Sequence, residues 1–166
     1  MRLDDGSTKV IIFSSPCGGV GTSTMAAACA SQYALQGRRT LYLNLEKYGS
    51  ADLFFSADGQ FDMSDIIFAL KSKRVNFMLK LESNVKQDSN GVFFYSHAKN
   101  ALDMIELNPE EIGRLISSLK LTGSYDYIIV DLDYSIDQGY LLIYRLAHAL
   151  VWISDGSEIS NDKVVK

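Results

Sequence analysis

The chain has 166 residues, 47% of them apolar and 22% charged, with a formal net charge of −4. That length predicts one domain with a sizeable core, and the acidic balance offers nothing to a polyanion such as nucleic acid. Two cysteines without a Cys-x-x-Cys spacing and two histidines exclude a disulfide framework or a zinc site, and no apolar run approaches the roughly twenty residues of a membrane span. With no secretory leader in the pattern, a cytoplasmic compartment is expected.

Met1 to Thr8 is polar and glycine-containing and reads as a linker or frayed start, with the folded domain over 9–166. Val10 to Ser14 is a short apolar strand of the kind buried on both faces of a parallel sheet. It runs into a glycine-rich loop, Ser14 to Thr24, and then a helix from near Thr22 rich in alanine, ending at Gly37. Thr40 to Leu45 is a second strand, followed by a loop from Glu46 to Asp52. Asp62 to Lys71 is a helix capped by Asp62 or Ser64, and Phe77 to Leu81 fits no single template. Ser83 to Asn90 reads as a polar turn region and Val92 to Tyr95 as a strand. Pro109 opens a helix running to about Leu119. Tyr127 to Leu132 is the most apolar strand, Tyr140 to Ala147 a helix, and Leu150 to Ile153 a last strand. Ser157 to Lys166 starts a helix that the chain does not finish, which predicts missing C-terminal strands. Strands alternating with helices give an α/β fold, a doubly wound, mainly parallel sheet flanked by helices.

The loop carries the chemistry. Glycines let backbone N–H groups turn inward, and a helix N-terminus adds partial positive charge, so the loop cradles an anion such as a nucleotide phosphate. The pattern G-x-x-x-x-G-K-[ST] is met only in part. Gly21 and Ser23 stand at the second glycine and the hydroxyl, but Thr22 replaces the lysine and Pro16 the first glycine. Ser23 is the obvious hydroxyl ligand for Mg²⁺, an ion that favours oxygen donors and a nearby carboxylate. Asp131 closes an apolar run, so its charge has a desolvation cost to offset; it is a metal-site carboxylate or simply the cap of a strand. A nucleophilic role for Cys17 would require an arginine six positions on, where Ser23 stands. Cys29 is expected in the core, and Lys71, Lys73 and Arg74 read as a solvated helix end. Tyr125, Tyr127, Tyr134, Tyr140 and Tyr144, with His97, His148 and Trp152, read as packing residues.

Cys17-Gly18-Gly19-Val20-Gly21-Thr22-Ser23-Thr24 resembles the deviant Walker A loop, K-G-G-x-G-K-[ST]-[ST], of the ParA/MinD family of P-loop ATPases. The likeness continues through Ala26-Ala27-Ala28 and through Gly37 to Glu46, where the family has a strand ending in D-x-D. Within the family the chain looks most like the CpaE/TadZ branch of pilus-assembly proteins. The resemblance implies ATP and Mg²⁺ as cofactors, with Cys17 to Thr24 around the nucleotide and Ser23 and Asp131 on the metal. It implies that Glu46, at the second carboxylate of D-x-D, orients the attacking water, with Asp131 as its catalytic companion. Asn44 stands at the first carboxylate and cannot act as a base; both residues can equally be a solvated loop start. Asp133-Tyr134 replaces the usual Pro-Pro after Asp131, so the switch loop is expected to behave differently. Cys17 and Thr22 replace both signature lysines, so nucleotide binding with slow or absent hydrolysis is expected; Lys47 is a substitute cation or an exposed loop residue. The resemblance further implies a homodimer, pilus-assembly or polarity factors as partners, and a place at a cell pole or the inner membrane face, with any membrane contact made by segments beyond this chain. Two other readings stand beside it: a nucleotide-free scaffold of the same fold, and a partitioning or division-site ATPase, against which the acidic balance counts.

Overall fold

A computed structural model describes residues 6–49, 51–72 and 76–157. The expectations for Met1 to Asp5, for Lys73 and Arg74, and for the helix beyond Ser157 lie outside the described residues. Among the described residues six strands form one sheet: β1 (Lys9–Ser14), β2 (Thr40–Asn44), β3 (Lys86–Gln87), β4 (Phe93–Phe94), β5 (Tyr127–Asp131) and β6 (Ala149–Trp152). Their spatial order is β3-β4-β2-β5-β1-β6, and every pair is parallel except β3 with β4. The expected doubly wound, mainly parallel sheet is present. β5 sits between β1 and β2, with Phe13 and Asn44 both in register with Asp131.

The two faces of the sheet are covered differently. On one lie α1 (Thr22–Leu35) and the short α2 (Ala51–Phe54), packed through Ala26, Ala27, Ala30, Ala51 and Phe55 onto Phe13, Tyr42, Phe94 and Ile129. On the other lie α3 (Met63–Lys71), α4 (Phe77–Asn84), α5 (Ala101–Ile105), α6 (Pro109–Leu121) and α7 (Gln138–Tyr144). Their buried side chains are large, with Ile66, Leu70, Leu81, Ile112, Leu115, Ile116, Leu119 and Ile143 against Val10, Ile12, Leu41, Leu43, Ile128 and Val130. Alanines bring α1 close to the strands that bear the loop; branched chains fill the thicker layer opposite.

Several boundaries differ from expectation for local reasons. Asp62, not Ser64, caps α3: its carboxylate accepts from Ser64 N–H at 2.7 Å while Asp65 reaches back to Asp62 N–H at 3.0 Å. Phe77 to Leu81 belongs to a helix, α4, which carries on to Asn84 into the expected turn. The rest of that turn holds β3, because the Asp88 carboxylate accepts from Asn90 and Val92 N–H and folds the chain back onto β4. α5 was not anticipated; Asn100 caps it through Leu102 N–H. α2 occupies the end of the expected 46–52 loop and extends past it. α7 begins two residues before Tyr140 because Asp137 caps it, and tight i→i−3 bonds from Leu146 and Ala147 end it before Ala147. Among the described residues, no helix is long and apolar enough to cross a membrane.

Candidate functional site

The sheet's strands β1, β2 and β5 end together, so the segments that follow them share one edge. After β1 the loop is anchored at Ser15, whose hydroxyl accepts from Cys17 N–H at 3.1 Å and donates to the Ile153 carbonyl at 2.7 Å. Gly19 and Gly21 then take φ of 73° and 89°, the left-handed region an L side chain resists, with open space where a Cβ would stand. Conformation, not crowding, requires glycine at both.

α1 starts at Thr22 with no side-chain cap and no acidic residue in its first turn. Its first helical bond is Met25 N–H to the Gly21 carbonyl. Among the described residues, the N–H groups of Gly18, Gly19, Gly21, Thr22, Ser23 and Thr24 donate to no protein acceptor. These groups border a hollow of about 360 Å³ lined by Cys17, Gly18, Gly19, Gly21, Thr22, Ser23 and Thr24, with Glu46, Leu132, Asp133 and Tyr134 across from them. Val20, expected at the same site, does not line it. Lys47 does not line it either: its side chain is exposed, and its N–H donates to Asp133 at 2.9 Å. Glu46 and Asp133 are therefore the charged residues of the lining, and both are acidic.

Beneath the hollow lies a connected polar cluster. The Ser23 hydroxyl donates to Glu46 Oε2 at 3.0 Å, and Asn44 Nδ2 lies 3.2 Å from the same oxygen. Asn44 Nδ2 is also 3.2 Å from Asp131 Oδ2, which accepts from the Tyr42 hydroxyl at 2.9 Å. Asn44 is thus no solvated loop start. It is 7% exposed and bridges two carboxylates, while Glu46 is half-buried and turned onto Ser23. Asp131 is fully buried, and its Oδ1 has no hydrogen-bond partner among the described residues. Burial, reinforced by the nearby Glu46 charge, pushes its carboxyl up to about 7. Burial also raises the Tyr42 phenol, helped by the Asp131 charge, so Tyr42 remains a donor.

Sequence reasoning had singled out Ser23, Glu46 and Asp131, and the fold gathers all three at one strand edge. It missed Tyr42. A tyrosine in a strand buried on both faces requires a partner for its hydroxyl, which was the available signal. Of the residues read as packing, Tyr134 lines the hollow, while His148 and Trp152 are held in the fold. His148 Nδ1 accepts from Val10 N–H at 3.0 Å, and Trp152 meets Tyr134 and Tyr144 edge-to-face, each at 5.3 Å. Cys29 is half-buried against the α1 face, its thiol pushed up by burial.

A buried carboxylate oxygen without a donor, beside a hydroxyl and a second carboxylate, is a donor set that fits a hard divalent cation such as Mg²⁺. Ser23 and Asp131 are the residues that would hold it.

No protein-family model matches the sequence, and no curated protein matches it. Solved structures do. A ParA family ATPase from Chlorobium tepidum TLS superposes with a TM-score of 0.71 at 26% identity, over 93% of this chain and 64% of its own. The septum site-determining protein MinD from Pyrococcus horikoshii OT3, complexed with Mg-ADP, gives 0.73 at 21% identity, over 95% and 63%. Cobyrinic acid a,c-diamide synthase from Mycobacterium smegmatis, with bound ATP analogue and magnesium, gives 0.69 at 18% identity, over 95% and 66%. The chain spans just under two thirds of the length of each, and its fold is that of the ParA/MinD P-loop ATPases.

Proposed function

We propose that the chain binds ATP with Mg²⁺ in the hollow above α1, turns it over slowly or not at all, and uses occupancy to set the pairing of two copies. The observation that carries this reading is the set of N–H groups of Gly18, Gly19 and Gly21 to Thr24 left without protein acceptors, among the described residues, around a cavity of about 360 Å³. A phosphate chain supplies the acceptors they lack. Mg²⁺ bound there supplies charge neutralisation at the phosphates. Ser23 and Asp131 are the ligands this chain offers, and Asn44 and Tyr42 hold the Asp131 carboxylate in place.

Hydrolysis is the weaker part of the family chemistry here. Among the described residues no lysine or arginine lines the hollow, and a missing cation at a transferring phosphoryl group costs about 10³–10⁵ in rate elsewhere. Glu46, the candidate to orient water, already accepts from Ser23 and lies against Asn44. The resemblance to the CpaE/TadZ branch extends the reading to a role in positioning a pilus-assembly or related cell-envelope machine, with protein factors as partners.

Isothermal titration of ATP in the presence of Mg²⁺ tests the reading, with phosphate release followed in parallel. Saturable heat with phosphate release near background is expected. No heat and no thermal shift would leave the nucleotide-free scaffold, in which Ser23 keeps its bond to Glu46. A salt-dependent shift of DNA would instead favour a partitioning role, against the net charge of −4.

A further inference from the structure

On the sheet face opposite α1, α6 and α7 leave a furrow of about 740 Å³ between them. Its walls are apolar: Leu121 is 81% exposed and Leu142 is 61% exposed, with Leu146 behind them. Its floor includes Gly113, at the centre of α6. Glycine there costs helix stability relative to alanine, and its backbone does not call for it, since Gly113 is not among the glycines with positive φ. Packing does not call for it either: a Cβ would meet nothing closer than Leu146 Cδ1 at 3.9 Å. What the missing side chain provides is room in the furrow.

Arg114 and Arg145 stand on the rim, both exposed, and neither has an ion-pair or hydrogen-bond partner among the described residues. Glu110, one turn before Arg114, also lines the furrow, and the two guanidinium groups leave its charged lining net positive. They fit an occupant that brings carboxylates as well as apolar side chains. The stretch of α6 from Pro109 to Leu121 is about 18 Å long at 1.5 Å per residue, which matches three turns of a helix laid along it.

We infer that the α6–α7 furrow docks an acidic amphipathic helix of a partner protein, with leucine-type anchors over Gly113 and carboxylates on Arg114 and Arg145. A second copy of this chain brings the same net positive lining, Arg114 and Arg145 with Glu110, and is the poorer charge match. A bilayer is flat, and the furrow is concave.

The test is fluorescence anisotropy of two labelled peptides against the whole chain. Both peptides are helical with leucines at i, i+3 and i+7; one carries glutamates on its flanks and the other carries lysines. The glutamate peptide is expected to bind, and the lysine peptide to bind at least about tenfold more weakly, a difference of about 1.4 kcal/mol. Gly113→Phe, which fills the floor, and the double variant Arg114→Glu/Arg145→Glu should each lose about tenfold for the glutamate peptide. Gly113→Ala should keep binding. The double variant changes exposed positions only, so it carries the test if Gly113→Phe fails the melting control. Equal binding of the two peptides, or affinity unmoved by the double variant, overturns the inference. So does cosedimentation with phosphatidylcholine/phosphatidylglycerol vesicles without peptide binding, or self-association lost in Gly113→Phe without peptide binding.

Discussion

Two helices of similar length begin in opposite ways. α6 starts with a full set of caps: the Asn108 carboxamide accepts from Glu111 N–H, Glu111 reaches back to Asn108 N–H, and Pro109 fills the first turn. Two acidic residues in that turn also suit the helix dipole. α1 has none of this, with Gly21 in the capping position and bare N–H groups above it. Their buried faces differ as well, large and branched on α6 and alanine on α1. A helix that only has to hold the core closes its own end, whereas one that serves a ligand leaves its amides open and gains its hold on the sheet by close approach.

The largest expected effect is on the thick face. Leu115→Ala opens a cavity under α6 and should cost about 2–5 kcal/mol in denaturant unfolding, leaving nucleotide titration in the remaining folded protein unchanged. On the thin face Ala26→Leu pushes α1 off the strands. It should cost about 1–3 kcal/mol and, unlike Leu115→Ala, weaken ATP binding, because the loop moves with the helix. If both variants leave binding untouched, the distinction between the faces is wrong.

Asp131 gives a pH signature where the strand edge meets α1. Its carboxyl is raised from 3.8 to about 7, so between those values the folded chain keeps a proton that the unfolded chain releases. Stability without Mg²⁺ should therefore fall as pH rises from about 4 to about 7, by at most about 1.4 kcal/mol per pH unit. Asp131→Asn should flatten that slope and raise the melting temperature at pH 8, while lowering the response to Mg²⁺. The smallest effect is at the closed helix end: Asn108→Ala should cost about 1 kcal/mol with no change in nucleotide titration.

What was legible in the sequence was mostly local. The strand, glycine loop and alanine-rich helix could be read from residue spacing, and so could Pro109 opening α6 and Asp131 closing an apolar strand. Asn44 was left open between two readings because its surroundings come from β5, nearly ninety positions away in the numbering, and the 44–131 register has no local signal. Tyr42 was passed over for the same reason: its partner is Asp131. β3 is only two residues long, inside a stretch whose composition signals turns, and only pairing with β4 makes it a strand.

The interposed position of β5 governs the order in which this molecule can be assembled. Ser23 follows β1 and Glu46 follows β2, yet those strands never touch, and the one that aligns them is made long after both. A nascent chain leaving the ribosome therefore carries both halves of its site unaligned until Tyr127 to Asp131 emerges and wedges between them. Binding competence should arise in a single step, once β5 has been made.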